Sequence, residues 1–501
     1  MPGGKIQLEA YGEQNKIFSD NPDISYFKLV YKRYTNFAME TIKQYTKDTV
    51  KLGNTVEYVI GRDGDLLSNL FLEINLDLEF NNNITVNYDS YLINFGHNII
   101  DYIELKIGDT IIDKHYGKWL QIWNELTELN DSSTNGLLSY KENSDKVLAD
   151  KLFSNHYTKY QNMSGTGIHR ILDLHKSPHM NYNKLGYSNT YYRDKDDHKI
   201  LKGRITIPFK FWFCKHYGLS IPLIALQYHE VKIRIKFNNI KNNETIRPGN
   251  LSDNIINNKI NDHDIDINNL GIFNTLHNII TTINNDNSTY TLWGDYIFLD
   301  KEERIQFANK NHEYLIEQVQ YYDEMISNNF HINNIKDEDY FINKTDIKLN
   351  FNHIVKELIW TFQRQTPIYE TELLSLINNE GLINLYINGQ ERVLNQNSMY
   401  YTKYNLTKYH SGSGGSPNSI YIYSFSLNPE EFQPMGFCNF SAVNNLRLTI
   451  DNLQIFPKKI IDKFGKSVTN RALSNISINI YCINYNILRI MNGMGSLVYS
   501  N

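Results

Sequence analysis

A strict alternation of apolar and polar residues, recurring in many separate runs, limits what this chain can fold into. Leu72, Ile74, Leu76, Leu78 and Phe80 alternate with Glu73, Asn75, Asp77 and Glu79. Val231, Ile233, Ile235 and Phe237 alternate with Lys232, Arg234 and Lys236. Leu446, Leu448 and Ile450 follow the same rule, as do Ile476, Ile478, Ile480 and Cys482. A period of two puts one face of a strand in a core and the other in water. Strands of this kind build sandwiches or barrels, and a buried parallel sheet would show continuous apolar runs instead. The 36 Tyr and 24 Phe favour the same half-buried pleated surfaces.

Helical periodicity is sparse. Trp119, Leu120, Trp123, Leu126 and Leu129 lie near a 3.6 spacing, with Asn130 as a stop, and Lys301 to His312 is a second short candidate. Neither falls in a βαβ rhythm, so the expectation is an all-β chain with a few short helices in its loops. At 501 residues the chain is too long for one core. The stretch from Asn238 to Asn287 is crowded with Asn and Asp, contains the turn Arg247-Pro248-Gly249-Asn250, and reads as a connection between two β domains. Ser411 to Pro417, rich in glycine, reads as a long loop of the second domain. The expected division is a leading segment 1–23, a first sandwich 24–240, an Asn-rich linker 241–288 and a second sandwich 289–501. Whether the halves are a diverged duplication is not visible in the residues.

Charge and cysteine usage narrow the function. The net charge is -5, and neither end carries a basic arm, which argues against direct nucleic-acid binding. Three cysteines, Cys214, Cys438 and Cys482, lie far apart without a CxxC spacing, so no cysteine zinc site is expected. The opening residues lack an apolar h-region, so no signal peptide is expected. No apolar run approaches the roughly 20 residues of a membrane span.

Catalytic patterns fail on inspection. Gly465-Lys466-Ser467 has Ile460 where a phosphate-binding loop needs its first glycine. His229-Glu230 has Ile233 where a zincin helix needs its second histidine, and it opens an alternating strand. His175 and His179 flank Pro178, which opposes a shared helical face. No GxSxG elbow occurs. No catalytic residue, metal site or cofactor is expected.

Longer segments carry more than these motifs do. Asn21 to Lys28 is followed by Val30 to Glu40, which holds Asn36 and Phe37. Gly218 to Lys232 contains Pro222, Gln227, Tyr228, His229 and Glu230. Asn388-Gly389-Gln390-Glu391-Arg392, then Cys438-Asn439-Phe440-Ser441, and finally Asn484 to Gly495 continue the series. These blocks, in order and nearly end to end, resemble the major capsid proteins of nucleocytoplasmic large DNA viruses. The Asn-rich insert and the polar stretch 321–346 depart from the pattern in the manner of loop variation.

The resemblance implies a double jelly roll, two tandem eight-stranded antiparallel sandwiches. It implies a non-enzymatic protein that forms trimeric, pseudo-hexagonal capsomers of an icosahedral shell. Its partners would be its own trimer mates, neighbouring trimers, and minor capsid and penton proteins, over an internal viral membrane that it does not span. Assembly would take place in the host cytoplasm. Two roles stay open for Pro222 and for Tyr228 to Val231: a contact between domains or subunits, or packing within one sandwich. The alternatives to a major capsid protein are a minor capsid component and a carbohydrate-binding jelly-roll protein.

Overall fold

A computed structural model of the chain describes residues 36–80, 95–128, 163, 191–195, 198–238, 283–325, 330–332, 340–342, 345–364, 381–412, 420–451, 453–454, 460–461, 467–468 and 476–499. The expected leading segment 1–23, most of the 241–288 stretch, residues 413–417, and His175 and His179 lie outside the described residues.

The alternating runs become antiparallel strands. The first eight are β1 (Phe37–Gln44), β2 (Thr55–Val59), β3 (Leu66–Phe80), β4 (Ile100–Ile107), β5 (Thr110–Tyr116), β6 (His198–Pro208), β7 (Val231–Phe237) and β8 (Thr289–Leu299). They form two sheets, ordered β1-β8-β3-β6, with the short strand Tyr191–Lys195 paired beyond β6, and β2-β7-β4-β5. The next eight are β9 (His312–Met325), β10 (Thr345–Leu349), β11 (Ile354–Arg364), β12 (Leu382–Ile387), β13 (Gln390–Asn397), β14 (Ile420–Ser424), β15 (Leu446–Asp451) and β16 (Ile476–Met491). Their sheets are ordered β9-β16-β11-β14 and β10-β15-β12-β13. Each strand of the first body thus has a counterpart eight places later. Two sheets in this order, facing across a shared core, make a jelly roll.

The repetition extends to irregularities. Ile221–Pro222 pairs with the start of β3, and Cys438–Asn439 pairs with the start of β11. A bulge interrupts β3 against β8 at Ser68, and another interrupts β11 against β16 at Lys356. The duplication that the residues hide is therefore plain in the pairing.

The strand Thr289–Leu299 departs from the expected division. A boundary at 289 assigns it to the second sandwich, but it pairs along β3 and β1 of the first. Its alternating face carries Tyr290, Leu292 and Tyr296 into the first core. That burial, about 1.5–3 kcal/mol for each large side chain, is available only there. The Asn-rich stretch likewise ends in Ile283–Asp286, paired with the far end of β3.

Each sandwich has its own core. Leu70, Leu72, Ile205, Ile233 and Leu292 lie in the first, and Leu358, Trp360, Tyr421, Leu448 and Ile480 in the second. One expectation fails in the second body. Alternation predicts one wet face for its strands, yet β16 is buried at every position from Ser477 to Asn486. Helix α1 (Gly117–Thr127), contributed by the first body, covers Tyr481 and Ile483 of its outer face. Helix α2 (Lys301–Asn309) begins where the Asp300 carboxylate accepts the Lys301 N–H at 2.7 Å, and it ends before His312, which opens β9.

Candidate functional site: the seam between the sandwiches

The seam is built on α1. Trp119, Ile122, Trp123 and Leu126 recur at the spacing of one helical face. The opposite face sends Leu120 into the first core. Gly117 opens the helix where a Cβ would collide with the carbonyl oxygens of His97 and Ile100. The aromatic face rests on the outer side of the second sandwich, against Ile359, Ile420, Ile422, Tyr481 and Ile483. Trp119 stacks on Trp123 at 5.4 Å between centroids and meets Tyr481 at 5.3 Å. The sequence reading found this helix but not its seat.

Two buried ionic groups flank the aromatic contact. Glu317 on β9 takes ammonium groups from both Lys215 and Lys356. Burial raises its carboxyl pKa, but the two lysines outweigh that and hold it below the usual range. Burial and the neighbouring Lys215 push the Lys356 ammonium pKa down. On the other side, His410 Nε2 lies 2.7 Å from Glu357 and its Nδ1 3.2 Å from Glu430. Burial alone would lower the His410 pKa, yet the two carboxylates raise it to about 9. The ring also meets Trp123 edge-on. The next residues strap the end of α1: Gly412 N–H donates to Leu126 O at 2.7 Å, and Ser411 Oγ donates to Thr127 O at 3.1 Å.

Further hydrogen bonds complete the seam. Asp113 on β5 accepts the Val319 N–H at 3.1 Å and lies 2.9 Å from His115. The Gln318 side chain donates to Ile112 O and accepts from Asn486. Buried charges and amides that satisfy one another fix one geometry, because a slip would leave them unpaired. Among the described residues, Glu357 Oε2 and His115 Nδ1 are buried in the seam without a hydrogen-bond partner of their own.

The signature residues fall in separate places. Asn36 and Phe37 lie exposed at the start of the edge strand β1. Pro222 is buried opposite Leu66, and Asn439 occupies the matching position opposite Ile354. Asn439 accepts the Ser441 N–H at 3.1 Å, Phe440 is buried, and Ser441 Oγ accepts the His353 N–H at 2.8 Å. Asn388 and Gly389, both at positive φ, form the turn between β12 and β13, where the Asn388 side chain accepts two N–H groups of Asn444 and Asn445.

Gln227, Tyr228 and His229 form a second link across the bodies. Tyr228 N–H donates to Gly493 O at 2.9 Å, and His229 Nδ1 lies 3.1 Å from Gly495 O. Arg62 donates to the carbonyls of Leu226 and Gln227. Gly493, at φ 79, leaves room for the Tyr228 ring, which a Cβ would approach to 2.6 Å. Glu230 is exposed and ion-pairs with Lys232. Of the two roles left open for this segment, Tyr228 and His229 contact the other domain, while Pro222 and Val231 pack within the first sandwich.

Known sequences decide the family. Residues 25–300 match the major capsid protein N-terminus, and residues 303–496 match the large eukaryotic DNA virus major capsid protein. The chain belongs to this family of capsid proteins. It is 31 % identical over 527 residues to the major capsid protein of Pyramimonas orientalis virus, across all of both chains. It is 30 % identical over 544 residues to that of Paramecium bursaria Chlorella virus 1, again across all of both. The quasi-atomic model of the latter virus's capsid covers 95 % of this chain and 100 % of its own, with a TM-score of 0.62 and 27 % identity. The Faustovirus major capsid protein, at 10 % identity and a TM-score of 0.56, shares the fold. The role of this capsid protein is structural, and its place is the virion shell.

Proposed function

We propose that this capsid protein assembles as a homotrimer whose six sandwiches give a pseudo-hexagonal capsomer, and that such capsomers tile an icosahedral shell. The observation that carries this reading is the duplication, in the two bodies, of the strand order, the bulge and the short strand Ile221–Pro222 or Cys438–Asn439. Two similar lobes per chain, repeated three times about an axis, approximate a hexagon that packs in a flat lattice. The rigid seam serves that purpose, since a hinge between lobes would blur the outline. The functional division of the chain falls after Leu299, and Tyr228, His229 and Pro222 act as structural fasteners.

The same reading gives the capsomer no catalytic work and no direct nucleic-acid contact. Neighbouring trimers, minor capsid proteins and a penton protein at the vertices are its partners. An internal viral membrane lies beneath the shell without being crossed, and assembly proceeds in the host cytoplasm. Electron-microscopic class averages of the purified oligomer test it: six lobes in a near-hexagonal outline are expected, and a single two-lobed particle would overturn it.

A further inference from the structure

Two Asn-Gly turns in the described residues fold alike. Asn388-Gly389 joins β12 to β13, and Asn492-Gly493 joins β16 to the closing strand Met494–Leu497. Each is a two-residue hairpin turn, bounded by the pair Ile387 and Gln390 or by the pair Met491 and Met494. The φ angles are 52 and 80 in the first turn and 51 and 79 in the second. A turn with both central residues in the left-handed region selects Asn followed by Gly. Both asparagines are exposed.

Dipeptide and backbone therefore do not distinguish the two turns, but the side chains do. Asn388 Oδ1 accepts the N–H of Asn444 at 2.9 Å and that of Asn445 at 3.2 Å, and the Asn388 N–H donates to Asn445 O at 2.7 Å. Its amide is turned toward the neighbouring loop and held there. Among the described residues, the Asn492 side chain makes no hydrogen bond. It stands between the exposed Met491 and Met494 and is free to rotate.

An asparagine ahead of glycine carries the means of its own modification, because no Cβ on the glycine blocks the approach. The Gly493 nitrogen gives up its proton and attacks Asn492 Cγ. The new N–Cγ bond forms, the Cγ–Nδ2 bond breaks, and ammonia leaves from a five-membered imide. Water then opens the imide at one of its two carbonyls. Opening at Cγ gives aspartate, and opening at the main-chain carbonyl gives isoaspartate. The second product routes the chain through Cβ and Cγ, one carbon longer than before. Turn length fixes hairpin register, so two residues have no slack to absorb the addition. This turn also carries the second link across the bodies: Gly493 O accepts the Tyr228 N–H at 2.9 Å, and Gly495 O lies 3.1 Å from His229 Nδ1.

We propose that Asn492 is a site of spontaneous deamidation, that two hydrogen bonds protect Asn388 from the same reaction, and that isoaspartate at 492 loosens the Tyr228–Gly493 fastening.

The purified full-length chain, aged in mildly alkaline buffer made with heavy-oxygen water, tests the site. Tandem mass spectrometry with electron-transfer fragmentation tells aspartate from isoaspartate. Residue 492 should lose ammonia and gain one labelled oxygen at least about tenfold faster than residue 388, whose rotation must first break two hydrogen bonds. In guanidinium, with both turns unfolded, the two should convert at similar rates. Equal conversion in the folded chain would overturn the protection of Asn388. A ratio that persists in guanidinium would place the difference in the flanking residues and overturn the structural assignment. A folded chain intact at 492 would overturn the site itself.

Hydrogen exchange reads the coupling. In the isoaspartate fraction the Tyr228 amide should exchange at least about tenfold faster than in the fresh chain. Asn492→Gly suits the same φ and lacks the reactive amide, so it should keep Tyr228 protected through the same ageing. Unchanged Tyr228 protection in the isoaspartate fraction, or equal loss in aged Asn492→Gly, would overturn the link between the modification and the fastening.

Discussion

His410 Nε2 lies 2.7 Å from Glu357 Oε1, and neither side chain reaches solvent. With Glu430 on its other nitrogen, the imidazole is held as a cation, its pKa raised from 6.5 to about 9. A group whose folded pKa lies above its unfolded value contributes stability that is complete below the unfolded pKa and lost as pH rises through the folded one. Melting temperature should therefore fall between about pH 6.5 and 9, over a range worth on the order of 3 kcal/mol. His410→Gln should remove that slope and lower the plateau below pH 6.5. A wild-type melting temperature that stays flat from pH 6 to 10 would count against the buried cation.

Glu317 is the counter-ion of two ammonium groups, one of them fully buried. Glu317→Gln strands Lys356 in the seam and should cost about 3–5 kcal/mol in denaturant titrations. Adding Lys356→Met should recover part of that loss, since the stranded charge goes with it. A double variant less stable than Glu317→Gln would contradict the charge account.

Trp123 meets His410 of the other body edge-on and braces Trp119, which in turn packs on Tyr481. Trp123→Ala should cost about 3–5 kcal/mol. The loss should appear locally: amides of β14 and β16 should exchange faster, while those of β4 and β7, inside the first sandwich, keep their protection. Uniform loss of protection across both bodies would show that the seam is not a separate unit.

Gly493 needs positive φ and leaves space for the Tyr228 ring. Gly493→Ala should destabilise by about 1–2 kcal/mol through backbone strain and collision. Shortening Tyr228 to Ala in the same chain should restore the collision part only. Identical stability of the single and double variants would place the whole cost in the backbone.

Much of the fold was legible because alternation reports directly on a half-buried sheet. Both Leu72 to Phe80 and Val231 to Phe237 lie in strands, with Leu72, Ile74 and Leu76 of the one and Val231, Ile233, Ile235 and Phe237 of the other turned inward. The outer face of β16 misled, since Tyr481 and Ile483 are covered by a helix that lies far away in the chain. The pattern of Thr289–Leu299 shows a strand but not which sheet it closes, and the strand belongs to the first sandwich and not to the second. The ionic seam had one local trace: Lys356-Glu357 interrupts the apolar run from Ile354 to Phe362. Its partners, from Lys215 to Glu430, are scattered and follow no spacing. The duplication is hidden in the sequence because matched positions such as Pro222 and Asn439 keep their place in the sheet but not their identities.

The mass of the purified chain in solution, read by light scattering after size exclusion, bears most directly on all of this. A stable species at three times 58.8 kDa is the expected result. A chain that stays monomeric as its concentration rises would contradict the capsomer.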